Sequence, residues 1–315
     1  VAGGYMCKSF VNAFNSLPVE YLFGADLESV RDLLSMVVTA DTTREINSQV
    51  LIDDKPWQLV GEGYQFTEGP AVTPDGTVYF TDVPANMIYR VGDDGKPVVF
   101  IDNSDRTSGL MFGPLGLYGC SSTSRSILLF NSAGEKKVFC QNVTSNDLVV
   151  TSQGAVYFTN PANNSIHHVS PDGESRIVDE GIDFPNGLIL WPDQQTLVVA
   201  DMKGAHLWNF RIEKDGSLSH KQPYSTMQLP VGKSASGADG MTVDRDGRIY
   251  VATELGIQVF DTQGRLSGII GRPQAKFLSN IVLGGPDFNL LYATSSDKVY
   301  RRQVKVSGFP FWKKD

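Results

Sequence analysis

The 315-residue sequence predicts an all-β protein: a six-bladed β-propeller with an N-terminal extension that contains a short helix. Three observations lead there. One short pattern occurs six times: EGPAVTPDGTVYFTD from Glu68, SGLMFGPLGLYGCSS from Ser108, NDLVVTSQGAVYFTN from Asn146, NGLILWPDQQTLVVAD from Asn186, DGMTVDRDGRIYVAT from Asp239 and SNIVLGGPDFNLLYAT from Ser279. Its heads lie 40, 38, 40, 53 and 40 residues apart, the spacing of four-stranded propeller blades. Within each copy an apolar strand leads through a tight turn into a second strand rich in β-branched and aromatic residues.

The elements follow in chain order. Residues 1–50 stand outside the repeat. There Asp26, followed by Leu27, Val30, Leu33, Leu34 and Val37, reads as an N-capped amphipathic helix. Three roles are open to it: packing on the propeller, covering a pocket, or joining two chains, so both monomer and homodimer are compatible with the sequence. Residues 51–315 form the propeller, the catalytic domain. Asp75-Gly76, Gln153-Gly154 and Asp246-Gly247 turn the first strand into the second, with Gly supplying positive φ. Third strands are expected at 87–91, 127–131, 166–170, 207–212, 257–261 and 299–303. Fourth strands are expected at 98–101, 137–140, 176–179 and 266–270. The sixth copy runs out before its fourth strand, and residues 57–61 can supply it, closing the ring without an open edge.

Composition narrows the function. A net charge of −8 and a pI near 5.1 argue against nucleic acid and anionic membrane surfaces, which need clustered Lys and Arg. No apolar run has the length of a membrane-spanning helix. Cys7, Cys120 and Cys140 make no disulfide framework; Cys120 and Cys140 fall one strand apart and are expected as buried, inert thiols. The sequons at Asn142 and Asn163 are close to chance frequency. The chain starts at Val1, which fits removal of a signal peptide or a tag and leaves exported and cytoplasmic locations both open.

Equivalent positions of a ring meet at its axis. The six heads therefore bring together two carboxylates, two amides and two hydroxyls. Glu68, Asn146, Asn186 and Asp239 are hard oxygen donors, and no basic residue shares their column. A solvated channel mouth would also accept polar residues, but Ser, Thr or Lys would serve there equally well. Oxygen ligation without His or Cys suits Ca2+ or Mg2+ better than Zn2+, so Ca2+ is expected, with Mg2+, Mn2+ or Zn2+ as substitutes. Ser108 and Ser279 are too short to reach a central ion. Strand direction puts the heads on the same face as the loops that begin near Asp82, Ser122, Asn160, Asp201, Glu254 and Ser295, a polar series expected to form the pocket rim. The extra residues of the 53-residue spacing, about 224–238, are expected to overhang this face as a specificity loop.

Over about residues 60–304 the segments FTEGP, SNDLVVTSQGAVYFTNP, FPNGLILWPDQQTLVVAD, ADGMTVDRDGRIYVAT and GIQVFD resemble the gluconolactonase, or regucalcin-like (senescence marker protein), family of six-bladed propellers. The resemblance implies a divalent cation held by Glu68, Asn186 and Asp239, with Asn146 binding metal or substrate. Diisopropyl-fluorophosphatase shares that four-residue set and the scaffold. Family members carry an Arg two residues before the NDL-type Asn, where this chain has Thr144, and PDGM is replaced by ADGM at Ala238.

The activity so implied is hydrolysis of a small, sugar-type lactone, with the carbonyl polarised by the cation and Asp239 as candidate general base. Phosphotriester or fluorophosphate hydrolysis at the same site, and a non-catalytic ligand-binding propeller, are the alternatives. Arg106, Lys203 and His206 lie near the face and are candidate substrate contacts. His167 and His168 are expected to be structural. No Ser-His-Asp or Cys-His arrangement is readable, and Gly-x-Ser-x-Gly is absent.

Overall fold

The computed structural model describes residues 49–309, so the helix expected from Asp26 lies outside the described residues. Among these residues the named elements are all strands, twenty-four in six four-stranded sheets. Blade 1 holds β2 (Thr67–Val72), β3 (Val78–Asp82), β4 (Met87–Val91) and β5 (Pro97–Ile101), after a first strand, β1 (Gln58–Glu62), that belongs to another blade. Blade 2 holds β6 (Thr107–Gly113), β7 (Gly116–Ser121), β8 (Ser126–Phe130) and β9 (Lys136–Gln141). Blade 3 holds β10 (Leu148–Val150), β11 (Val156–Asn160), β12 (Ser165–Val169) and β13 (Ser175–Glu180). Blade 4 holds β14 (Pro185–Leu190), β15 (Thr196–Asp201), β16 (His206–Ile212) and β17 (Leu218–Thr226). Blade 5 holds β18 (Met241–Val243), β19 (Ile249–Thr253), β20 (Gly256–Phe260) and β21 (Leu266–Ile270). Blade 6 combines β22 (Asn280–Gly284), β23 (Leu290–Ser295) and β24 (Lys298–Gln303) with β1 (Gln58–Glu62).

The blades repeat because the local chemistry repeats. At Thr73–Gly76 the Gly76 amide donates to the Thr73 carbonyl, Asp75 accepts from the Thr77 amide, and Gly76 takes φ 88°, which lets the next strand leave with the twist an antiparallel pair needs. A Cβ on Gly76 would collide with the Gly285 carbonyl of blade 6, so this turn also seats two blades together.

The core lies between blades. Six apolar clusters among the described residues each mix side chains of neighbouring blades. Tyr118 and Ile127 of blade 2, for example, meet Val150 and Phe158 of blade 3. Cys120 and Cys140 are free and buried in that same cluster, on either side of Ile127, and burial pushes both thiols up, away from the reactive thiolate.

The ring closes through β1, antiparallel to β24, with Leu59 opposite Tyr300 and Glu62 opposite Lys298. The Trp57 indole donates to the Gly271 carbonyl at 3.0 Å, and the Arg302 guanidinium lies 5.5 Å from the centre of its ring. The longer blade 4 spacing differs in detail from expectation. Tyr224 belongs to the nine-residue β17, its hydroxyl donating to the Thr262 carbonyl and its ring set edge-on to Trp191. The overhanging segment therefore starts only after Thr226.

Deleting residues 49–62 removes β1 and leaves the backbone of β24 unpaired. The expected outcome is a lower Tm and concentration-dependent aggregation, read by thermal unfolding and light scattering.

Candidate active site at the propeller axis

Three inner strands bulge where their heads sit: the register shifts between Glu68 and Ala71, between Thr107 and Leu110, and between Pro185 and Leu188. A bulge re-aims side chains, and here it turns the head residues toward the axis. Glu68 lies in β2 and Asn186 in β14, while Asn146 and Asp239 immediately precede β10 and β18. Asn186 and Asp239 are 5% and 8% exposed.

The position after each head decides how closely the strands approach. It reads Gly69, Gly109, Asp147, Gly187, Gly240 and Asn280. A Cβ on Gly109 would collide with the Asp147 carboxylate, and one on Gly240 with the Asn280 amide. Each missing side chain in one blade thus makes room for a polar side chain of the next. Asp147 and Asn280 enter the ring in this way, and reasoning on the heads alone missed them. The visible signal was that this column is otherwise entirely glycine.

The polar ring is linked. The Asn280 amide donates to Glu68 Oε2 at 3.3 Å, and the Gly69 amide donates to the same oxygen at 2.8 Å. The amides of Asn280 and Asn186 also favour the charged forms of Asp147 and Asp239, against the effect of burial. Ser108 and Ser279 serve the ring as staples: their hydroxyls donate to the Asn146 carbonyl at 2.7 Å and the Thr67 carbonyl at 2.8 Å. The channel is lined by Pro70, Leu110, Leu148, Leu188, Met241 and Ile281, with Asp147, Thr242 and Asn280 as its polar members.

Electrostatics mark this spot. Glu68 and Asp147 keep a little surface toward the channel but are otherwise enclosed by protein. Burial pushes the carboxyl of Glu68 up. Asp147 rises from the usual 3.8 to about 7, through burial first and the charge of Glu68 second. Asp239 is held well above the carboxylate range by burial, then by Glu68 and Asp147. None of the interactions that set these three acids comes from Lys, Arg or His. Asn186 Oδ1 is buried without a hydrogen-bond partner. Three enclosed carboxyls, an orphaned amide oxygen and no basic partner form a donor set that fits a hard divalent cation. Among the described residues no three His, Cys, Asp or Glu side chains make a metal-binding group by themselves; the set needs its Asn amides.

Of the six loop residues expected as a pocket rim, four are spent on the fold, Glu254 pairs with Lys233, and Asn160 Oδ1 is buried without a partner. The Asp82 carboxylate accepts from the Gln65 and Phe66 amides, and that of Asp201 from Phe184, Lys203 and Gly204. The hydroxyls of Ser122 and Ser295 donate to the carbonyls of Arg106 and Phe277. These side chains brace the segment that delivers each head.

Among the candidate contacts, Arg106 is exposed two residues before Ser108, in a left-handed backbone pair with Asp105. Lys203 Nζ lies 5.2 Å from the centre of the Phe184 ring, close to Asn186 in the chain. His206 pairs with Thr226 Oγ1 at 3.3 Å and sets its ring edge-on to Trp208, within blade 4. His168 packs on Tyr157 and His167 on Phe158, and burial lowers both imidazoles, which keeps them neutral.

A six-bladed propeller with an acid-and-amide ring at one mouth is the class of protein these features define. Residues 66–297 match the model of the SMP-30/gluconolactonase/LRE-like region, and the chain belongs to that family. It is 25% identical over 294 residues to the gluconolactonase of Zymomonas mobilis, covering 80% of this chain and 82% of that one. It is 32% identical over 108 residues to the diisopropyl-fluorophosphatase of Loligo vulgaris, a match spanning 32% of this chain and a third of that enzyme's length. The solved gluconolactonase of Xanthomonas campestris superposes with a TM-score of 0.70 at 24% identity, over 80% of this chain and 90% of that one.

Two outcomes follow from the ring. Gly240→Ala forces a Cβ against Asn280 and is expected to cost about 1–3 kcal/mol in denaturant unfolding. The raised carboxyls also give a pH dependence to the chelator-treated protein. At these three acids the native state binds more protons than the unfolded chain, so their contribution to stability is full below about pH 4 and falls as pH rises toward about 7. Thermal unfolding across that range checks the slope, and Asp147→Asn should flatten it.

Proposed function

We propose that this chain is a lactone hydrolase that depends on a divalent cation, with Ca2+ the favoured ion. The observation that carries the reading is the enclosed triad of Glu68, Asp147 and Asp239, with Asn186 Oδ1 unpartnered and no basic side chain to balance it, at the mouth of a propeller of the gluconolactonase family. Glu68, Asn186 and Asp239 would hold the ion, with Asn146 as a fourth ligand or a substrate contact. When bound, the ion supplies Lewis acidity that draws electron density from a lactone carbonyl.

The protein's own groups do the rest. Asn280 and the Gly69 amide fix the Glu68 carboxylate in one orientation, so the ring is organised before substrate arrives. Asp239 takes a proton from the water that attacks the carbonyl carbon. As the ring C–O bond breaks, that proton passes to the departing ring oxygen, and the product is a hydroxy acid. The mainly apolar channel at the ring, with Asp147, Thr242 and Asn280 as its polar members, would leave substrate few other polar groups to meet there. Local similarity to a fluorophosphatase supports one second reading, phosphotriester or fluorophosphate hydrolysis by the same groups.

The test compares D-glucono-δ-lactone with a paraoxon-type phosphotriester in the presence of Ca2+, Mg2+, Mn2+ or Zn2+. Lactone opening is expected with at least one ion, and a preference for the phosphotriester would move the assignment to the second reading. Asp239→Asn should lower kcat by about 10²–10⁴-fold while its chelator-treated Tm at pH 8 stays at or above that of the parent chain, because a raised acid has been removed. Unchanged turnover in that variant would remove Asp239 from the chemistry.

A further inference from the structure

The position two residues before each head forms the wall of the cup. Side chains two apart on an extended chain point the same way, so where the chain is extended this position shares the direction of the head; at Arg106 and Gly237 the backbone is left-handed, with φ 52° and 64°, and that rule does not apply. The extended pairing continues that far: the carbonyls of Phe66 and Phe184 accept from the amides of Val83 and Met202, just past the ends of β3 and β15. Around the ring the column reads Phe66, Arg106, Thr144, Phe184, Gly237 and Phe277.

Half of this wall is aromatic. Phe66 and Phe277, on adjoining blades, stack with ring centres 6.2 Å apart and stay half-buried. Phe184 lies across the cup under Lys203, and Met202 Sδ sits 3.5 Å from the Asn186 amide nitrogen. Meanwhile the polar side chains of the same face are committed elsewhere. Asp82 and Asp201 serve backbone amides, Ser122 and Ser295 serve backbone carbonyls, and Glu254 is paired with Lys233. A polyhydroxylated ring would bring several hydroxyls that need partners, and these five side chains already have theirs; of the loop series Asn160 keeps an unpartnered amide oxygen, which is buried. An apolar substituent would lose nothing there and would gain aromatic contact.

We infer that the preferred substrate is a lactone bearing an alkyl or aryl substituent, seated between the Phe66–Phe277 pair and Phe184, rather than a sugar lactone. This rests on the lactone-hydrolase reading above. Lys203 and Arg106 stand at the polar edge of the cup, where they can meet the carboxylate released on ring opening.

The experiment measures kcat/KM for δ-phenyl-δ-valerolactone and for D-glucono-δ-lactone with Ca2+, in the parent chain and in Phe66→Ala, Phe277→Ala and Phe184→Ala. Phe→Leu versions guard against loss of folding, with Tm as the check. The phenyl lactone is expected to lead by about tenfold or more, and each Ala variant should reduce that ratio by roughly tenfold. In parallel, calorimetry follows binding of the matching phenyl lactam, which has no ester bond to cleave, and the Ala variants should weaken it. If D-glucono-δ-lactone is the better substrate and the ratio ignores the phenylalanines, the inference is overturned while the hydrolase reading stands. If neither lactone opens with any divalent ion, the hydrolase reading falls and the lactam decides the mouth alone. Binding that the Ala variants weaken upholds the aromatic cup, and no binding overturns it.

Discussion

Six inner strands must run side by side around one axis, and the contact distance between them governs everything else in this molecule. It is set where Gly69 lies against the Ser108 carbonyl and Gly187 against the Asp239 carbonyl, contacts that no Cβ could occupy. The close approach lets backbone groups of one blade bond the next, as the Gly109 amide does with the Asn146 carbonyl and the Gly240 amide with the Ser279 carbonyl. Head residues are thereby held by neighbouring blades as well as their own. The rigidity of the site is a property of the whole ring.

That closeness also concentrates charge. Glu68, Asp147 and Asp239 sit so near one another, with so little water, that Glu68 raises Asp147 and both raise Asp239. Such a cluster opposes folding at neutral pH unless something positive joins it. The cost is local, whereas the apolar clusters between blades are spread around the entire ring, so the fold can carry a strained centre. A site that is unfavourable when its acids ionise alone is one poised to bind a cation tightly.

Most of this fold was legible because the repeat fixes direction and spacing together. The third strands fall within a residue of expectation, and β1 closes blade 6 from the N-terminal side as the missing fourth strand required. The meeting of Glu68, Asn186 and Asp239 was legible because symmetry sends equivalent positions to one place. Asp147 and Asn280 were overlooked because they occupy the neighbouring column, where strand alternation alone would point them away from the axis; Gly109 and Gly240 of the adjoining blades leave the space they fill. Asp82 and Asp201 were misplaced for the converse reason. Their position faces the mouth, but nearby backbone amides outcompete a ligand for a buried carboxylate. Tyr224 shows the limit of counting spacings, since extra residues can lengthen a strand before they lengthen a loop.

The columns of the repeat also divide labour, and that division bears on how such a propeller changes substrate. The heads carry donors, the next position carries glycine or a second polar group, and the one after is uniformly apolar and lines the neck. Altering any of these disturbs the ring itself. The column two before the heads supplies neither the close approach nor the donors, and it mixes aromatic, basic, hydroxyl and glycine residues: Phe, Arg, Thr, Phe, Gly, Phe. The segment before Asp239 is similarly free of the ring, yet it is not loose. Buried Gln258 bonds both the amide and the carbonyl of Gln228, Ser236 donates to the Asp201 carbonyl, and the Gly237 amide donates to that of Met202. It stands as a fixed wall beside the one gap in the column, Gly237. Substrate preference can therefore drift through wall residues while the axial chemistry stays intact, because the two are built from different positions of the same repeat.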